Sequence, residues 1–101
     1  MTTAVQGPNT QTSATPGTSV IAILQNVAGG YIVNPLTAAD QDLAATEALY
    51  VNQVTTADTH ANNTTIALQP GQSYTVVPNT TTPVQVASLS ASHKFTAVQW
   101  T

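Results

Sequence analysis

Thr64-Thr65-Ile66-Ala67-Leu68-Gln69-Pro70-Gly71-Gln72-Ser73-Tyr74-Thr75-Val76-Val77 decides the fold. Two short runs rich in β-branched and aromatic residues flank Gln69-Pro70-Gly71-Gln72. Proline at the second position and glycine at the third are the chemistry of a type II turn. Each flank has the length of a strand and is too short for an ordinary helix.

The same grammar repeats outward. Upstream, residues 49–54 form a strand and residues 55–63 a polar loop. Residues 19–24 are a short apolar run, the signature of a strand buried on both sides. Gly29-Gly30 is turn chemistry before Tyr31-Ile32-Val33, and Asn34-Pro35 ends that strand. Residues 19–24 and 31–33 therefore read as a β-hairpin. Downstream, residues 84–89 and 94–100 are strands separated by Ser90-Ala91-Ser92-His93. About seven short strands broken by turn signals predict an all-β domain, a small antiparallel β-sandwich or a jelly-roll-like barrel. The inner faces are expected to hold Ile21, Ile23, Ile32, Leu49, Val51, Ile66, Leu68, Tyr74, Val76, Val84, Val86, Phe95 and Ala97.

Two regions stand apart. In residues 36–48, Thr37 is a candidate cap, Asp40 sits three residues on, and five alanines favour helix, so one or two helical turns are expected. Residues 1–17 are rich in Thr, Gln, Ser, Pro and Gly and have little to bury. They read as a flexible N-terminal arm ahead of a β-sandwich domain over residues 18–101. The arm is either a frayed end or a segment that orders on a partner.

Charge narrows the function. Only Asp40, Asp42, Glu47, Asp58 and Lys94 carry formal charge, against 19 threonines and 42% hydrophobic residues. Most active sites need titratable groups to move protons or stabilise developing charge. With one Lys and no Arg, neither counterion-release binding to nucleic acid nor a basic membrane-surface helix is expected. No apolar run reaches the ~18 residues of a membrane span, and the start has neither the basic nor the apolar region of a signal peptide. Cysteine is absent, which removes disulfides and thiolate metal sites and leans toward synthesis in the cytoplasm. A neutral surface rich in short hydrogen-bonding side chains suits permanent packing against another protein, because no ions need desolvation; the alternative on composition is a soluble monomer with a threonine-rich β surface.

The candidate chemical sites are thin. Asp40, Asp42 and Glu47 lack the glycine and ligand spacing of a calcium loop, so a solvated acidic loop is expected. His60 and His93 with Asp58 lack a zinc spacing and read as surface residues. Ser90, Ser92, His93 and Asp58 show no nucleophile-elbow motif. No catalytic, cofactor or metal residue is assigned, and no enzyme activity is expected. The candidate interface residues are Thr12 and Pro16 in the arm, with Tyr50, Tyr74 and Trp100 among the aromatics. Trp100 either seals one end of the sandwich or anchors a neighbouring subunit.

The order of these pieces resembles the small all-β virion proteins of tailed bacteriophages. The resemblance rests on the apolar strand ending in Gln25-Asn26, on Tyr31-Ile32-Val33-Asn34-Pro35, and on Leu49-Tyr50-Val51-Asn52. It continues through Asn62-Asn63-Thr64-Thr65 and the Leu68-Gln69-Pro70-Gly71-Gln72-Ser73-Tyr74 stretch, and ends with Val84-Gln85-Val86-Ala87-Ser88. Residues 36–48 are longer than the loop of that pattern. The resemblance implies a capsid decoration (cement) protein, or a head-fibre or tail component, without catalytic residues or cofactors. Its partner would be the major capsid protein or another virion protein, bound through sheet edges and the arm. Assembly as a homo-oligomer on a virion, after synthesis in the host cytoplasm, is expected. The rival expectation is a carbohydrate-binding or adhesive module of a fibre or tail, marked by a flat exposed aromatic patch.

Overall fold

The structure, a computed structural model, describes residues 3–35 and 47–101. Every regular element among them is a strand: β1 (Ala4–Gln6), β2 (Val20–Ile23), β3 (Gly30–Val33), β4 (Leu49–Asn52), β5 (Thr65–Leu68), β6 (Ser73–Val76), β7 (Val84–Ala87) and β8 (Thr96–Trp100). All seven expected strands are present, and β1 is the eighth. The helical turns expected within residues 36–48, and Asp40 and Asp42 with them, fall almost wholly outside the described residues.

The strands form two antiparallel four-stranded sheets, β1-β8-β3-β6 and β2-β7-β4-β5. β1 pairs with β8, β2 with β7, β3 with β6 and β4 with β5; the β3–β8 and β4–β7 pairs complete the sheets. A long hairpin folded over on itself gives this order, the double Greek key of a jelly roll. The sandwich and jelly-roll expectations therefore describe one object.

Consecutive strands pair only at β4–β5. The hairpin expected from residues 19–24 and 31–33 does not form, because β2 and β3 lie in different sheets. The intervening segment crosses the ~10 Å between packed sheets and does not fold back. The Pro70-Gly71 turn behaves likewise. Gln72 N–H donates to the Gln69 carbonyl at 2.9 Å, and Gly71 takes the left-handed φ of 86° that a type II turn requires. Yet this turn carries the chain from β5 in one sheet to β6 in the other.

The core lies between the sheets. Ala22, Ile23, Ile32, Leu49, Val51, Val84 and Val86 are sealed, and Val27, Leu68, Val76, Phe95 and Ala97 nearly so. Three expected core residues differ. Ile21 is 37% exposed. The β2–β7 register shifts between Ile21 and Ile23, so Val20 faces Val86, Ile23 faces Val84, and Ile21 stands opposite Gln85. An extra residue at a β-bulge turns alternate side chains over. Ile66 is 42% exposed because β5 is an edge strand. Tyr74 is half-buried and packs against the core from its margin.

The expected free arm is, over residues 3–17, laid along the sandwich. β1 pairs with β8 in the register Ala4↔Trp100, Val5↔Gln99 and Gln6↔Val98. Thr3 and Thr101 exchange both backbone hydrogen bonds, at 3.0 and 2.9 Å. Gly7, Thr12 and Gly17 donate their N–H groups to the carbonyls of Ala97, His93 and Ser88. Gly7 sits so close that an added Cβ would lie 2.1 Å from the Ala22 carbonyl oxygen. Backbone pairing explains the order: a segment with little apolar area can still dock where a sheet edge offers unpaired N–H and C=O groups.

Candidate functional site

Alternation gives each sheet an outer face, and the two are finished differently. On the β2-β7-β4-β5 sheet, Asn52 and Thr65 point away from the core side chains of their strands, yet each is 1% exposed. The β4–β5 loop covers them. Asn52 Oδ1 accepts the N–H groups of Val54 (2.7 Å) and Thr55 (2.8 Å), a local turn typical of asparagine. Its Nδ2 donates to Thr64 Oγ1 and Thr65 Oγ1, each at 2.9 Å. Farther along the loop, Asp58 N–H donates to Thr65 Oγ1 and Ala57 N–H to Ser19 Oγ.

The outer face of the β1-β8-β3-β6 sheet has no such cover among the described residues. It displays Thr96, Val98 and Trp100 from β8, Tyr31 and Val33 from β3, and Ser73 and Thr75 from β6. None of these is charged. Tyr31 and Trp100 are 37% and 36% exposed, and their rings meet edge to face with centroids 6.3 Å apart and planes at 61°. Trp100 lies over Gly29, where an added Cβ would stand 3.0 Å from the indole ring. A shallow trough beside the pair is lined by Gln6, Thr10, Tyr31, Phe95, Thr96 and Val98. It runs toward a second shallow cleft holding Gln11, Pro35 and Lys94. The face thus offers apolar area, two aromatic edges and hydroxyl or amide groups, with Lys94 as a charge at one margin.

At the end of the sandwich where the N-terminal segment meets the β7–β8 connection lies a buried polar knot. His93, expected at the surface, is fully buried. Asn34 Nδ2 donates to the carbonyls of Glu47 (3.0 Å) and Leu68 (2.9 Å), which leaves Oδ1 as the acceptor facing His93 Nε2 at 2.8 Å. His93 therefore carries its proton on Nε2. Its Nδ1 is buried without a hydrogen-bond partner, 3.7 Å from Glu47 Oε2. His93 N–H donates to Thr12 Oγ1 at 2.8 Å; Thr12 Oγ1 donates to Ser88 Oγ at 2.6 Å; Ser88 Oγ donates to the Ser90 carbonyl. Ser90 N–H closes the set on Glu47 Oε1 at 2.9 Å. Burial lowers the His93 pKa below its ordinary value and outweighs the Glu47 carboxylate, which acts to raise it.

The expected interface residues do not come together. Thr12 is 3% exposed and belongs to the knot, because its hydroxyl satisfies groups that would otherwise be buried unpaired. Pro16 is exposed in the docked segment. Tyr50 is half-buried on the outer face of the other sheet, between Ala67 and Ala87. Tyr74 turns inward from β6, and its hydroxyl donates to Gln53 Oε1; burial raises its pKa. Trp100 alone stands on the bare face, and the sequence reading did not pair it with Tyr31. Alternation of Thr96, Val98 and Trp100 against Ala97 and Gln99 was the available signal.

Among the described residues, Asp58, His60 and His93 do not come together. The His93 ring nitrogens face Asn34 and Glu47, with no serine hydroxyl on either. Asp58 accepts a hydrogen bond from Asn62 in the β4–β5 loop, where His60 is exposed. No group of three metal-ligating side chains occurs among the described residues. Set against protein-family models, curated proteins and solved structures, the chain matches none of them.

Proposed function

We propose that the chain is a non-enzymatic structural module that decorates a larger protein shell, acting as a phage capsid decoration (cement) protein. It is made in the host cytoplasm, assembles in many copies and holds its shell through the outer face of the β1-β8-β3-β6 sheet. The observation that carries this reading is the contrast between the faces: on one, the chain's own loop closes over Asn52 and Thr65 and leaves Ile21 exposed on the edge strand β2; the other is left bare, uncharged and aromatic. An uncharged face packs against protein without desolvating ions. Many weak contacts on a repeating lattice multiply into firm attachment. The fold is compatible by analogy alone, since jelly rolls serve in viral capsid and lectin domains and a fold does not fix a function. In the reading the face replaces the N-terminal segment as the main contact, because residues 3–17 are spent on the chain's own sheet edge.

Co-sedimentation with emptied heads of the phage that encodes the chain tests this. Wild type and Thr56→Glu, altered in the β4–β5 loop, should pellet with the heads. Thr96→Glu, which puts a carboxylate into the bare face, should bind at least tenfold more weakly. Wild-type protein that stays in the supernatant, or Thr96→Glu that pellets undiminished, overturns the reading.

A second reading, attachment to neutral glycans at a fibre or tail, is favoured by the exposed Tyr31–Trp100 pair. The 61° between the rings makes a notch, not the flat platform expected of such a module. Titration with neutral oligosaccharides, read by Trp100 fluorescence, distinguishes it: saturable quenching supports glycan binding, and an unchanged spectrum removes it.

A further inference from the structure

We propose that His93 is a proton-operated latch that holds residues 3–17 against the sandwich at neutral pH and releases them in acid. The geometry closes the routes by which the docked state would accept a proton. Nε2 already carries its hydrogen toward Asn34 Oδ1, so a second proton must go to Nδ1. Nδ1 is sealed from water and has no hydrogen-bond partner. Its facing carboxylate oxygen, Glu47 Oε2, is 3.7 Å away, beyond hydrogen-bond reach. Neither side can close the gap freely, because the ring is tied to Asn34 and the carboxylate to Ser90 N–H. Glu47 is the charged group acting on the ring; Thr12, Asn34 and Ser88 around it do not titrate, and Lys94, next in the chain, lies in the cleft with Thr10 and Pro35.

The segment joined to the His93 backbone is held mainly by hydrogen bonds, and of residues 3–17 only Gly7 and Thr12 are buried. Thr12 clasps the His93 backbone from both sides through its own N–H and its hydroxyl. All three residues of β1 are exposed, so edge hydrogen bonds hold it with little apolar burial. In the latch, lifting residues 3–17 takes Thr12 away from His93 and opens the ring to water, where it takes a proton at its ordinary value. Acid therefore favours the lifted state by linkage. The lowered His93 pKa is the same statement seen from the docked side. The latch stands independently of which partner the bare face binds, and the released segment supplies a polar arm together with a vacated β8 edge.

Amide hydrogen exchange of the full chain, expressed as protection factors at pH 7.5 and 5.0, tests it. Protection at Gly7, Thr12 and Gly17 should fall by up to about 30-fold, the ceiling set by one histidine of ordinary pKa, while β4 and β7 stay protected. The fall should vanish in His93→Gln. Unchanged protection in wild type, an equal fall in His93→Gln, or β4 and β7 protection collapsing to the level of Gly7, Thr12 and Gly17 overturns the proposal. A measurement that needs no His93 variant guards against misfolding: in His60→Gln, which leaves one imidazole to observe, the His93 ring resonance should titrate below 6.5. Titration at or above that value overturns the latch.

Discussion

The two sheets share a core and a length, but their outer faces are opposites. Over β2-β7-β4-β5, the chain spends a loop, an asparagine and several threonines to hide polar groups that a strand would normally leave to water. Over β1-β8-β3-β6, it leaves Tyr31, Val98 and Trp100 with no cover from the described residues. Hiding Asn52 stabilises only because each of its hydrogen bonds is made. Leaving an aromatic pair in water forgoes burial that would contribute about 1–2 kcal/mol per side chain. The difference separates a face where the chain spends hydrogen bonds on its own fold from one where it leaves surface uncovered, and the two are expected to respond differently to substitution.

The largest test of this division is Asn52→Ala. It strips the Val54 and Thr55 N–H groups and the Thr64 and Thr65 hydroxyls of their partner, and should lower stability by about 3 kcal/mol. Urea unfolding reads this directly, and a loss under 1 kcal/mol would break the comparison. Acid gives the next effect. The unfolded chain takes up a proton on His93 near its ordinary pKa, while the folded chain resists it. Stability should thus be fully present above about pH 6.5 and decline below it, at most about 1.4 kcal/mol per pH unit. Since neither face contains the ring, the Asn52→Ala deficit should be the same at pH 7.5 and 5.5; a deficit that grows with acid would tie the covered face to the knot. Trp100→Ala should cost about 1–2 kcal/mol, because roughly two-thirds of the side chain is covered, yet abolish attachment to shells if the bare face is the contact. Smallest is Thr96→Glu, expected to move stability by no more than about 0.5 kcal/mol while weakening attachment. A large stability loss there would mean that the bare face is structural after all.

The strands were legible because the runs around Val51, Ile66, Val76 and Val86 are β-branched and bounded by turn residues. Which strand pairs with which was not. A Pro-Gly or Gly-Gly turn has the same local chemistry whether the chain returns along its own sheet or crosses to the other. β1 escaped notice because Ala4-Val5-Gln6 has one large apolar residue and gains its order from the β8 edge, far away in sequence. His93 was misplaced for a similar reason. Its neighbours Ser92 and Lys94 look like a wet turn, and its partners come from far away in sequence: Asn34 and Glu47 at the ring, and Thr12, 81 residues earlier, at the backbone. The bulge at Ala22 exchanged the faces of Ile21 and Val20, as a one-residue shift must. Trp100, which the sequence leaves either sealing the sandwich end or facing a neighbour, lies on the bare face, whereas Thr12 is drawn into the interior by a hydroxyl network that no spacing rule reveals.

The doubly bonded Thr3–Thr101 pair has a mechanical consequence. Because β1 and β8 run antiparallel from that pair, tension applied to residues 3 and 101 loads their hydrogen bonds one after another, like a zip, and never all at once in shear. A tether fixed at these two positions should part the strands at low force. A load spread across the broad face of the same sheet would bear on every rung of its ladders together.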